Sequence, residues 1–214
     1  MWPESDQTRE LLAEAARGSP DAVNQLMERH RDALRRMVQM RLDQQIRRRV
    51  DVSDVVQDVL VEANRRLADY LARPGMDFHL WLRQIAMDRI IDAHRRHRVS
   101  AKRSVDREQP MAVPAGAERS TMELAAQLAD GELTPAAAAA QRELVRRVEA
   151  ALTQLDEADA EIIVMRHYEK LSNQEAAQAL DLSQPAASMR YLRAIRRLRQ
   201  LLGEPGESRS GSGD

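Results

Sequence analysis

The sequence predicts an all-α protein made of two small helical domains joined by a flexible linker, the C-terminal one a helix-turn-helix. Three observations carry this reading. Apolar residues recur at three- and four-residue spacing over most of the 214 residues, and strand-like alternation of period two is absent. Only 3% of residues are aromatic against 43% hydrophobic, so the cores must be built from Leu, Ile, Val, Ala and Met, among which Ala, Leu and Met are strong helix formers. Finally, Pro110, Pro114, Gly116, Gly131 and Pro135 interrupt a polar, alanine-rich stretch in which helical periodicity fades.

The elements follow in order. A first helix is expected around Ser5 to Arg17. Ser19-Pro20 reads as an N-cap followed by proline at the first helical position, opening a second helix with Val23, Leu26, Met27, His30, Leu34 and Met37 on one face. Asp51 starts a third, in which Val52, Val55, Val56, Val59, Ala63 and Leu67 share a face. The Pro-Gly chemistry of "RPGMD", Arg73 to Asp77, ends it, and a fourth helix runs from Phe78 through Trp81, Leu82, Ile85, Ala86 and Ile90 to about Arg98. Residues 1–98 are thus expected as the N-terminal domain, 99–140 as linker with a helical segment near Met122 to Leu128, 141–202 as the C-terminal domain, and 203–214 as a disordered tail.

Charge is segregated along the chain although the formal net charge is only -1. Arg29 to Arg49 carries eight arginines against two aspartates, Asp51 to Glu62 four acids and no base, and Arg89 to Arg107 seven basic residues against two aspartates. A chain without cysteine has no disulfide framework and no Cys-based zinc site, which suits a reducing cytoplasm. The N-terminus carries acids where a signal peptide is basic, and no window reaches the roughly 18 apolar residues of a membrane span. Membrane insertion is not expected. No nucleophile-base constellation or phosphate-cradling glycine loop is visible, so the chain reads as a non-enzyme without cofactors. His94 and His97 flank Arg95-Arg96, but so basic a setting repels cations, and no metal site is expected.

The most informative stretch is "LSNQEAAQALDLSQPAASMRYLRAIRRLRQLL", Leu171 to Leu202. Ser172 with Glu175 forms a capping box that fixes the start of a short helix. Asp181 sits where the turn needs a left-handed residue. Ser183 caps the next helix, with Pro185 in its first turn. On that helix Ala187, Tyr191, Ile195, Leu198 and Leu202 follow one face, and five arginines stand without an acid on the others. Ala177 and Ala187 are small where helices of a helix-turn-helix cross.

The chain "ALTQLDEADAEIIVMRHYEKLSNQEAAQALDLSQPAASMRYLRAIRRLRQLL" resembles the promoter-recognition domain of bacterial sigma factors of the extracytoplasmic-function type, in the sigma-70 family. "DVSDVVQDVLVEANRRLADYL" and "FHLWLRQIAMDRIIDAHRRHR" resemble the same group's domain for core-polymerase binding and promoter opening. The resemblance covers both domains in order. It implies a cytoplasmic subunit that binds core RNA polymerase and directs initiation by recognising the −35 and −10 elements of promoter DNA. Control by an anti-sigma factor or a regulatory kinase is compatible with it. The alternative is a helix-turn-helix repressor or activator that binds duplex DNA without joining polymerase, which leaves the acidic stripe unemployed.

Residue by residue, the resemblance assigns Asp54, Gln57, Asp58 and Val61 to the polymerase interface. Asp51, Asp54, Asp58 and Glu62, three or four residues apart, form one acidic stripe suited to a basic partner. For the −10 element and melting it points to Phe78, His79, Arg83, Asp88, Arg89, Asp92, Arg95 and Arg96, with Arg98 as a further phosphate contact. Phe78 and His79 are expected to be exposed and Trp81 to pack in the core. In the last helix Ser188, Met189 and Arg193 are expected at base edges, and Arg190, Arg196 and Arg197 on phosphates. The chain departs from the family at Asp88, where asparagine is common, in the "RPGMDFH" loop, and at Pro185-Ala186, which replace a glycine-threonine pair.

Overall fold

The computed structural model describes residues 2–3, 5–42, 44–47, 49–101, 118–128 and 138–203. Most of the expected linker, 102–117 and 129–137, the tail 204–214, and the side chains of His97 and Arg98 lie outside the described residues. Every regular element among those described is helical. The chain divides into two compact units, Met1–Gly116 with Ala177–Leu182, and Ala117–Ala176 with Ser183–Asp214.

The first unit holds α1 (Ser5–Ala16), α2 (Pro20–Arg41), α3 (Gln44–Arg47), α4 (Val52–Ala72) and α5 (Phe78–Ala101). Gly18 links α1 to α2 at φ +86°, a left-handed conformation that glycine adopts without strain. Ser19 then caps α2 by accepting from the Ala22 N–H at 3.3 Å, and Asp51 caps α4 by accepting from the Ser53 N–H at 2.7 Å. Side chains at helical spacing close one core, in which Leu26, Leu34, Val38, Val59, Ala63, Leu82 and Ala86 are fully enclosed. Each large aliphatic side chain buried there stabilises the unit by about 1.5–3 kcal/mol. Tyr70 closes the Pro-Gly break: its hydroxyl donates to the Met76 carbonyl at 2.9 Å.

The second unit contains α6 (Glu118–Leu128), α7 (Ala138–Leu152), α8 (Glu157–Ile163), the first turn of α9 (Asn173–Ala179) and α10 (Gln184–Gly203). The segment from 118 to 128, which falls within the expected linker, is a packed helix of this unit. Its Thr121, Leu124, Ala125 and Leu128 are buried, an i, i+3, i+4, i+7 stripe that needs a partner surface and finds one on α7 and the turn after α8. That turn, Val164–Tyr168, is a π-helical continuation of α8, closed by Glu169 N–H donating to Val164 O at 3.0 Å. The wider turn lets Val164, Met165 and Tyr168 all be buried.

The helix-turn-helix forms as its caps dictate. Ser172 Oγ accepts from the Glu175 N–H at 3.2 Å while the Glu175 carboxylate accepts from the Ser172 N–H at 2.6 Å, a reciprocal capping box. Asp181 takes φ 53°, and Ser183 accepts from the Ala186 N–H at 3.3 Å to start α10. Ala177 and Ala187 are both buried.

Candidate functional site

On α4 the acidic stripe separates into two kinds of carboxylate. Asp51 is occupied as the N-cap. Glu62 is surrounded by Arg66 at 2.5 Å, Arg89 at 2.9 Å and Arg65 at 3.9 Å. The Arg66 hydrogen bond, aided by the nearby arginine charges and opposed by partial burial, holds its carboxyl below the usual carboxylate range. Asp54 and Asp58 make no ion pair among the described residues and face solvent with Gln57. Val61, 40% exposed, adds an apolar contact point beside them.

Helix α5 places the residues expected near the −10 element in several different environments. Phe78 is not the exposed ring the sequence suggests; it is 3% exposed. It meets His30 and Tyr70 edge-on at 5.1 and 5.5 Å and Trp81 at 5.5 Å. Trp81 is half-buried, 4.7 Å from Tyr70. Arg83, expected on phosphates, is also enclosed at 5% exposure. The cause is the position of α5, which packs against α2, α3 and α4 and so has few outward faces. His79 is half-buried beside Trp2, ring centres 5.7 Å apart.

A groove of about 340 Å³ along α4 and α5 is lined by Glu62, Asp88 and Asp92 together with Arg66, Arg89 and Arg95. Three acids against three bases leave it without the net positive charge a phosphate needs. Arg89 is drawn to Glu62, whereas Asp88, Arg95 and Arg96 face outward and Asp92 is half-buried.

On α10, Ala187, Ala194, Ile195 and Leu198 are buried, and Tyr191 is half-buried against His167, with the rings stacked at 5.7 Å. Met189 stands 60% exposed and Leu192 44%, an apolar pair on the outward face beside exposed Arg196 and Arg197. Ser188 and Arg190 are half-buried. Arg193, expected at a base edge, is held by Asp159: Nε donates to Oδ2 at 3.1 Å and Nη2 to Oδ1 at 2.6 Å.

Several residues of this site escape sequence reasoning. Asp159 is one, separated from Arg193 by 34 positions. Thr121 and Tyr168, whose hydroxyls lie 3.1 Å apart in the interior, and Gln127, which donates to the Tyr191 hydroxyl at 3.1 Å, are others. Lys170 reaches Glu123 at 2.5 Å. The one local signal was Asp156, an N-cap before an apolar run; it caps α8 by accepting from the Asp159 N–H at 2.9 Å.

Two family descriptions match, Sigma-70 region 2 over residues 26–99 and Sigma-70, region 4 over residues 151–200. RNA polymerase sigma factor CnrH of Cupriavidus metallidurans is 34% identical over 208 residues, covering 97% of this chain and 100% of the relative. RNA polymerase sigma factor NccH of Alcaligenes xylosoxydans xylosoxydans is 30% identical over 201 residues, covering 90% and 92%. The solved structure of CnrH in complex with the cytosolic domain of CnrY matches with a TM-score of 0.55 and 30% identity, over 92% of this chain and 97% of that one. With both family regions in order and full-length relatives at this identity, the chain belongs to the sigma-70 family of RNA polymerase sigma factors, in the extracytoplasmic-function group.

Proposed function

We infer that the chain is a cytoplasmic, non-catalytic initiation subunit that binds core RNA polymerase through α4 and selects promoters through α10. The observation that carries this reading is the pair of oppositely charged helix faces. Asp54 and Asp58 make no ion pair among the described residues and stand exposed on α4, with Gln57 and Val61 alongside, and Met189, Arg196 and Arg197 stand exposed on a capped helix-turn-helix. An acidic face suits a basic polymerase surface, and a basic one suits phosphates. In the −35 element Ser188, Met189 and Arg193 read base edges while Arg190, Arg196 and Arg197 bind the backbone. Around the −10 element the outward residues Asp88, Arg95 and Arg96 act directly, with His79 and Asp92 at the edge of the contact. Phe78, Arg83 and Arg89 support that surface from within. No helix among the described residues is long and apolar enough to cross a membrane.

Because the similar CnrH was solved in complex with the cytosolic domain of CnrY, a regulatory protein partner fits this chain as well. The deciding experiment is in-vitro transcription with bacterial core polymerase and this protein alone over a genomic promoter library. Promoter-specific transcripts are expected; DNA binding without transcripts would mark a repressor instead.

A further inference from the structure

We propose that Asp159 is a positioning residue for promoter choice, holding Arg193 so that the outer edge of its guanidinium meets a guanine in the −35 element. The proposal rests on the promoter-recognition reading of α10. Its geometry comes from the way the two side chains divide between interior and surface. Asp159 is 3% exposed, fixed in the first turn of α8 where its own N–H donates to Asp156. The Arg193 side chain is 63% exposed. The carboxylate is sunk and the arginine rises from it into solvent.

The atoms used matter. Asp159 takes the side-on edge of the guanidinium, Nε and one N–H of Nη2. Of the five N–H donors of arginine, the two on Nη1 and the second on Nη2 remain. Asp159 therefore leaves the end-on fork, Nη1 with Nη2, unoccupied, no other described residue takes it, and it is this fork that matches the O6 and N7 acceptors of guanine in the major groove. A free arginine must give up side-chain entropy to hold that orientation, whereas Arg193 has already given it up in the folded protein. Arg190, Arg196 and Arg197 make no ion pair among the described residues, which suits them to phosphates, where charge matters more than direction.

The test uses the full chain with core polymerase and a promoter set carrying every single base-pair change across the −35 element. Asp159→Asn keeps the shape but not the charged double acceptor. It should reduce discrimination at one or two adjacent positions about five- to tenfold, a part of what a bidentate base contact supplies. Arg193→Lys, which keeps the charge without the fork, should lose discrimination at the same positions, and Asp159→Asn should add nothing in an Arg193→Ala background. An unchanged promoter ranking in Asp159→Asn, with only a lower melting temperature, would reduce the pair to a strut between α8 and α10. Equal weakening on every promoter would place Arg193 on a phosphate and overturn the proposal too. A wild-type protein that initiates at no promoter would overturn the functional reading itself, and this inference with it.

Discussion

Helices α4 and α10 each carry an excess of one charge, and each commits part of it to the protein's own structure. On α4, Glu62 is shared among Arg65 and Arg66 of its own helix and Arg89 of α5, while Asp54 and Asp58 stay in water. On α10, Arg193 is committed to a buried carboxylate of α8, while Arg196 and Arg197 stay in water. The two commitments differ in kind. The first is largely an i+3, i+4 surface network that salt screens and solvent competes with. The second joins elements far apart in sequence and fixes the orientation of a planar donor. Charge excess is legible in the sequence, but only the structure tells which charges the protein has already committed to itself.

The largest effect should come from reversing an available charge. At the proposed polymerase interface, Asp58→Lys replaces an attraction to a basic surface by a repulsion, a change of several kcal/mol, on the order of a thousandfold in affinity. Co-purification with core polymerase should be lost while the helical spectrum and melting temperature stay near native. Wild-type affinity in that variant would leave α4 with a merely solvated face and break the comparison.

Next come the cores on which the two helices rest. Phe78→Ala should cost the first unit about 3–5 kcal/mol, and Leu124→Ala the second about 2–5 kcal/mol, both read by chemical denaturation. If Phe78 instead acted on a promoter base, its loss would impair strand opening without that destabilisation. If α6 were a passenger of the linker, Leu124→Ala would leave stability unchanged.

The smallest effect is an acid response shared by the two units. Burial, with the charges of His79 and Arg29, lowers the pKa of His30 to about 4. Burial, with Lys170 and Arg166 and against Glu123, lowers that of His167 to about 4. Both folded values lie below the ordinary 6.5, so the unfolded chain binds these protons first. The stability associated with the neutral rings is complete above pH 6.5 and is lost as pH falls toward 4, by up to about 1.4 kcal/mol per unit for each ring. His30→Gln should flatten the acid limb of the first unit and His167→Gln that of the second, as followed by melting temperature against pH.

What was legible in the sequence is what local chemistry decides. Ser19, Asp51, Ser172 with Glu175, Asp181 and Ser183 each act through neighbours two to four residues away, and each sits as its type requires. Asp54 and Asp58 likewise follow from spacing alone. Phe78 and Arg83 are more deeply buried than the sequence suggests because exposure on α5 depends on how many helices surround it, which its own periodicity does not record. Helix α6 falls within the expected linker because its buried stripe, Thr121 with Leu124, Ala125 and Leu128, is short and lies among Pro and Gly. Asp159 was invisible for a different reason: its partner is selected by the packing of α8 on α10.

Pro185, at the second position of α10, changes what the start of that helix can hold. The amide donors at the start of a helix ordinarily offer a rigid seat for an anion. Here Pro185 has no N–H, the Ala186 N–H goes to Ser183 Oγ and the Ala187 N–H to the Ser183 carbonyl. Of the first three helical positions only Gln184 keeps an N–H not taken up by Ser183, so this helix start offers little of the usual anion seat, and the arginines farther along α10 carry the positive charge of this face.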